Sequence, residues 1–232
     1  MKIKKLSVLI PVYNERATIE EIIRRVRLVN LDNEKEIIVI DDSSTDGTRD
    51  ILEKMVKEDA SLIVLFHEKN RGKGAAIKTG IVQITGDYTV IQDADLEYDP
   101  EDYHKLIAPV QKDKAVVVYG SRFTGEHRNM FFWHLLGNRF LSLMTNILYN
   151  TTISDMETCY KLFQSDIIKS INIKSNRFDF EPEITAKILK DGVRIYEVPV
   201  SYAGREFSEG KKITWKDGFA ACWALIRYRF CD

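Results

Sequence analysis

At 232 residues and 44% hydrophobic content the chain is long enough to bury a sizeable core, and 34 basic against 35 acidic residues leave a net charge of -1. That balance excludes a chain-wide field for nucleic acid or an acidic polymer, so electrostatic recognition has to be local. Three cysteines, Cys159, Cys222 and Cys231, show no CxxC spacing and no Cys/His cluster; this argues against a zinc site and fits a reducing, cytoplasmic setting.

The basic start, Met1-Lys2-Ile3-Lys4-Lys5, leads into a short apolar strand broken by Pro11 and Asn14, so no signal peptide is expected. No stretch offers the roughly 20 uninterrupted apolar residues of a membrane span. A strand is expected over 6–12, then a helix whose apolar positions Ile19, Ile22, Ile23, Val26 and Val29 recur at helical spacing. The pattern repeats with a strand over 36–40 and a helix buried through Ile51, Leu52, Met55 and Val56. A strand over 62–66 and a helix from Lys73 to about Ile84 follow. A fourth strand, 89–91, ends abruptly in Gln92-Asp93-Ala94-Asp95; a helix over 101–113 and a strand over 115–119 come next.

After that strand the alternation stops. Residues 130–149 read as one apolar, aromatic helix or a pair, followed by a short strand over 160–163, a helix over 181–190, a strand over 193–200, a loop over 202–212 and a C-terminal helix. Alternating strands and helices predict right-handed βαβ units and a mostly parallel sheet with helices on both faces. With no linker or repeat, residues 1–232 read as one domain with a front half to about 122 and a back half beyond it. Neither GxGxxG after the first strand nor GxxxxGK[ST] is present, which counts against dehydrogenase and nucleotide triphosphatase readings.

Asp93 and Asp95 would project from a strand end into the ligand crevice of such a sheet. Two carboxylates so spaced suit a hard divalent cation, Mg2+ or Mn2+, resting on substrate phosphates. Capping of the helix that begins near Pro100 explains the same acids, so the pair alone leaves both readings open. Other chemistry-bearing groups fall at successive strand ends: Pro11 to Glu15, Asp41-Asp42, Asn70 to Lys73, and Ser121-Arg122.

With these motifs in hand, Pro11-Val12-Tyr13-Asn14-Glu15, Ile40-Asp41-Asp42-Ser43-Ser44-Thr45-Asp46-Gly47, Asn70-Arg71-Gly72-Lys73-Gly74, Asp93-Ala94-Asp95, Gly120-Ser121-Arg122-Phe123 and Arg205 with Glu209 to Ile213, the chain resembles the family 2 inverting glycosyltransferases. The likeness is to the polyprenyl-phosphate sugar synthases, such as dolichyl-phosphate mannose and glucose synthases. It implies the GT-A fold, a Rossmann-like α/β architecture, and transfer of a hexose from a UDP- or GDP-sugar to polyprenyl phosphate. It also implies that Pro11, Tyr13, Glu15 and Asp42 line the base and ribose, with Asn70, Lys73, Gln92 and Ala94 completing the donor site. Asp93 and Asp95 would meet the diphosphate and its Mg2+ or Mn2+.

The acceptor side would use Asp155 as its acid, with Glu157 a rival because Met156 to Lys161 departs from the usual synthase pattern. Arg122, Arg139, Arg205, Lys211 and Lys212 would grip phosphates, the last three within a lid. Aromatic segments around Phe132 and Trp133 and around Trp215, Phe219 and Trp223 suit peripheral membrane contact, core packing or a homodimer interface equally. Two other functions stay open: transfer to a glycan or soluble hydroxyl, and a non-catalytic nucleotide-sugar-binding module. No nucleic acid partner is expected.

Overall fold

The computed structural model describes residues 3–205 and 215–231, with side chains from 217 onward in the second segment. The elements run β1 (Lys5–Val12), α1 (Ile19–Leu28), β2 (Glu34–Asp41), α2 (Thr48–Glu58), β3 (Ile63–Phe66), α3 (Lys73–Ile81) and β4 (Tyr88–Ile91). A short 3-10 turn (Pro100–Asp102) then enters α4 (Tyr103–Gln111), followed by β5 (Val117–Ser121), α5 (Phe132–Tyr149), β6 (Lys161–Gln164), α6 (Ser165–Ser170), α7 (Phe180–Lys190), β7 (Ile195–Pro199) and α8 (Trp215–Phe230).

The seven strands form one sheet in the order β3-β2-β1-β4-β6-β5-β7, so front and back halves share it. β1 pairs in parallel with β2 on one side and β4 on the other, and the direction of winding reverses between them. Ligands of open α/β sheets gather at such a switch point. The registers Val12↔Asp41 and Leu9↔Ile91 bring the carboxyl ends of β1, β2 and β4 to one edge.

Burial explains why these residues form these strands. Leu9, Ile10, Ile38, Val39, Ile40 and Val90 are inaccessible to solvent, as expected where helices cover a sheet. α1 contributes Ile19, Ile22, Ile23 and Val26 to the same core, the spacing that marked it in the sequence.

Four details differ from the sequence reading, and one alternative it left open, a single helix or a pair over 130–149, is decided in favour of the single helix α5. β6 runs antiparallel to both β4 and β5, because residues 154–160 lie at the carboxyl edge and the chain must re-enter the sheet from there. α3 stops at Ile81, where Gln83 and Ile84 close tighter turns on Gly80 and Ile81. β5 extends through Gly120 and Ser121 because pairing with β7 carries it past the glycine, and α6 was not anticipated. Among the described residues no helix is long and apolar enough to cross a membrane.

Gly80 sets how closely α3 lies on the sheet. A Cβ there would sit 2.7 Å from Ile40 Cδ1 and 2.9 Å from Leu9 Cδ2. Alanine would gain about 1 kcal/mol of helix propensity but overpack a tight core, which typically costs about 1–3 kcal/mol. Gly80→Ala is therefore expected to lower stability, read as a lower urea midpoint with an unchanged m-value.

Candidate active site

Three strand ends build the site, and each leaves its strand through a residue in the left-handed region: Asn14 (φ 52°) after β1, Ser43 (φ 64°) after β2, and Leu96 (φ 63°) after β4. Such a conformation costs a residue like leucine about 1–3 kcal/mol and clusters where a loop must be aimed. Leu96 and Asn14 line a cleft of about 800 Å³, together with Glu15, Arg16, Asp46, Asp95, Arg128 and Arg205.

The two readings of Asp93 and Asp95 now separate. Asp99 caps the turn at Pro100, its Oδ1 accepting from the Glu101 N–H at 3.1 Å. Asp93 and Asp95 are thus released from capping. Lys73 Nζ lies 2.8 Å from Asp93 Oδ1, and α3 presents that lysine at its first position. Burial raises the Asp93 pKa, but the Lys73 ammonium and a hydrogen bond from the Cys159 thiol outweigh it and leave the group below its ordinary value.

Asp95 is the opposite case. Burial and the charges of Asp93 and Glu97 lift it to about 7, against the pull of Arg205. Arg205 donates from Nη2 to Asp95 Oδ2 at 2.9 Å and from Nη1 to Glu15 Oε2 at 3.1 Å, while its backbone N–H donates to Glu97 Oε1 at 2.7 Å. A single guanidinium therefore ties the segment after β7 to the ends of β1 and β4.

A family model for glycosyl transferase family 2 matches residues 7–171. This chain belongs to glycosyl transferase family 2. The family 2 chain is 31% identical over 212 residues to the undecaprenyl-phosphate 4-deoxy-4-formamido-L-arabinose transferase of Salmonella choleraesuis (strain SC-B67), across 90% of its own length and 63% of the relative's. The same figures hold for the enzyme of that name from Salmonella newport (strain SL254). Among solved structures, glucosyl-3-phosphoglycerate synthase from Mycobacterium tuberculosis in complex with Mn2+, UDP and glucosyl-3-phosphoglycerate superposes with a TM-score of 0.75 at 19% identity, over 99% of this chain and 81% of that one. The likeness establishes the GT-A fold.

The remaining family 2 motifs fall into two groups. Glu15 lines the cleft and Tyr13 is exposed, whereas Pro11, Gln92 and Ala94 are buried. Gln92 Oε1 accepts from both Tyr103 and Tyr160 at 2.7 Å, and its amide donates to the Asp93 carbonyl, so it braces the acidic turn from below. Asp42 holds its own chain: His67 Nδ1 lies 2.6 Å from Oδ1, and the Arg71 and Gly72 N–H groups donate to the carboxylate. Asn70 reaches the Asp42 carbonyl.

Asp155 is fully buried and both of its oxygens are engaged. Arg122 donates from Nε to Oδ2 at 2.8 Å and from Nη2 to Oδ1 at 2.7 Å, with its backbone N–H also on Oδ2. The acid expected on the acceptor side and the arginine expected on a phosphate hold each other, while Glu157 keeps a buried Oε1 without a partner among the described residues. Arg139 is exposed on α5, its guanidinium 5.9 Å from the Phe123 ring centroid. Lys211 and Lys212, and the lid they would form, lie outside the described residues.

The sequence reading missed Glu97, Arg128 and Glu181 as members of this region. Glu181 lies 2.9 Å from Lys73 Nζ, a residue 108 positions away, and only folding joins them. Removing one partner of a buried ion pair strands the other, which typically costs about 3–5 kcal/mol. Arg122→Ala is expected to lose stability on that scale in chemical denaturation, and Arg122→Ala with Asp155→Ala to lose less than the sum of the two singles.

Proposed function

We propose that this family 2 protein moves a hexose from a UDP- or GDP-sugar to a polyprenyl phosphate, with inversion and with Mg2+ or Mn2+. The observation that carries the reading is the gathering of Glu15, Asp95 and Arg205 with Asp93 at the switch point of the sheet. The relatives named for undecaprenyl-phosphate sugar transfer support the acceptor, and the neighbours bound to UDP with Mn2+ or Mg2+ support the donor and metal.

Asp93 and Asp95 suit a hard cation because both offer carboxylate oxygen. The guanidinium drawn in among Glu15, Asp95 and Glu97 shows that positive charge is favoured there. No cluster of three or more His, Cys, Asp or Glu suited to a metal occurs among the described residues, so substrate oxygens and water would complete the shell. A bound cation supplies charge stabilisation to the departing nucleoside diphosphate.

The rest of the reaction falls to positioning. A phosphate oxygen of the acceptor forms a bond to the anomeric carbon while the bond from that carbon to the nucleoside diphosphate breaks, its electron pair leaving with the diphosphate. An anionic nucleophile needs no strong base, so an Asp155 committed to Arg122 is compatible with it. Arg128 at the cleft and Arg139 on α5 are candidate cations for the acceptor phosphate.

Lipid also accounts for an exposed apolar face. α5 exposes Phe132 (66%), Trp133 (76%) and Ile147 (73%), and α8 exposes Phe219 (70%), Trp223 (64%) and Phe230 (75%). The two helices pack together through Leu141, Ala221 and Leu225, leaving these larger side chains outward. Exposed aromatics concentrated on two packed helices mark interaction surfaces. A second reading, transfer to a soluble hydroxyl, draws on Glu157, whose burial and the nearby Glu181 charge push its pKa up to about 8, within range of a general base.

Labelled UDP- and GDP-hexoses offered with Mg2+ or Mn2+ are expected to place label in the organic-soluble fraction only when polyprenyl phosphate is added. Label appearing solely on a soluble acceptor would move the assignment to the second reading. Asp95→Asn is expected to cut transfer about a hundredfold or more, the scale of losing one electrostatic stabiliser. Trp133→Ser with Trp223→Ser is expected to reduce co-sedimentation with liposomes containing anionic lipid and to leave nucleotide binding intact.

A further inference from the structure

Beneath the acidic turn lies a second, deeper group of charges. Lys73 Nζ spans Asp93 Oδ1 and Glu181 Oε1, so a single ammonium separates the proposed diphosphate site from the first turn of α7. Its position is enforced by close backbone packing: a Cβ at Gly72 would come within 2.4 Å of the Asn176 carbonyl oxygen, and one at Gly74 within 2.8 Å of the Ser175 carbonyl oxygen. Glu181 is 5% exposed.

The other oxygen of Glu181, Oε2, is buried with no hydrogen-bond partner among the described residues, and so is Glu157 Oε1. A chain of contacts links the two residues: Lys161, held by the carbonyls on either side of Glu157, lies 4.6 Å over the Tyr119 ring, and the Tyr119 hydroxyl meets Thr185, whose own hydroxyl donates to the Glu181 carbonyl. Lys161 lies beside both, yet its ammonium is held by the Met156 and Thr158 carbonyls. Buried polar atoms in folded proteins are nearly always paired, so two open acceptors together call for a ligand that brings donors.

The surrounding charge narrows that ligand. A phosphate would be repelled by two carboxyl groups, and a further cation would meet Lys73 and Lys161. Neutral hydroxyls satisfy both conditions, and a hexose follows the diphosphate along the donor. We propose that Glu157 and Glu181 form the sugar subsite, Glu157 Oε1 and Glu181 Oε2 accepting hydrogen bonds from ring hydroxyls of the donor hexose and thereby selecting which hexose is used. The inference rests on the donor half of the proposed function and is independent of the acceptor.

The test is equilibrium binding to the intact protein with Mn2+, comparing UDP and GDP with their hexose conjugates, for the wild type, Glu157→Gln and Glu181→Gln. The proposal expects nucleoside diphosphate affinity to stay within about twofold while hexose conjugates weaken about tenfold or more, the scale of one lost hydrogen bond. An equal loss for both ligands in both variants would overturn it, since the carboxylates would then only support Lys73 and Asp93. Unchanged binding of both ligands would overturn it too, as would Glu157→Gln and Glu181→Gln that bind every donor normally and fail only in transfer to a hydroxyl.

Donors lacking one ring hydroxyl give a second measurement that needs no variant. Wild-type affinity is expected to fall at one or two ring positions, and equal affinity for every deoxy donor would overturn the subsite. Failure of polyprenyl phosphate to accept sugar would leave all of these binding results standing, so the two proposals fail separately.

Discussion

Like charges crowd the carboxyl edge of this sheet. Glu15, Asp93, Asp95, Glu97, Asp155 and Glu181 come from four separate stretches of chain, and Lys73, Arg122 and Arg205 hold them in place. Each cation bridges positions far apart in sequence, so the contacts that neutralise the site also fasten its parts. Repulsion among the acids sets what the rest of the structure has to supply: lysine from the first turn of α3, arginine from the end of β5, and arginine from the segment beyond β7.

That arrangement has two physical consequences. Charges this well paired are fixed in direction, which is what the proposed positioning chemistry requires. The fit is also incomplete: Asp95 is pushed up to about 7, and Glu157, Glu181 and the Arg205 Nε keep buried atoms without hydrogen-bond partners among the described residues. Unsatisfied groups concentrated at one edge, beside left-handed Asn14, Ser43 and Leu96, are the places where stability yields to function.

The same fold serves relatives named for transfer to undecaprenyl phosphate and neighbours named for glucosyl-3-phosphoglycerate synthesis. One fold can carry different reactions because function lives in the residues placed on it. In this chain α5 and α8 are joined through a small apolar cluster and bear large aromatic residues on their open face. Charge is concentrated on the sheet edge and apolar surface on the helix pair.

Much of the architecture was legible because helix and strand periods are local properties. Ile19, Ile22, Ile23 and Val26 marked α1, and the β-branched run before Asp93 marked β4, without reference to any distant residue. The Asp93-x-Asp95 turn and the Asn70 to Lys73 loop were likewise visible as strand-end chemistry. The reversed direction of β6 was not, since strand direction depends on which edge the chain returns from. Nor could spacing show that the Gln92 side-chain oxygen would accept from Tyr103 and Tyr160, that Asp155 would be taken by Arg122, or that Glu181 would share Lys73 with Asp93. The sequence by itself determined the element types and the residues able to carry charge at the strand ends; tertiary structure decided which charges met and which stayed open, because Coulomb and hydrogen-bond energies depend on distances that only packing sets.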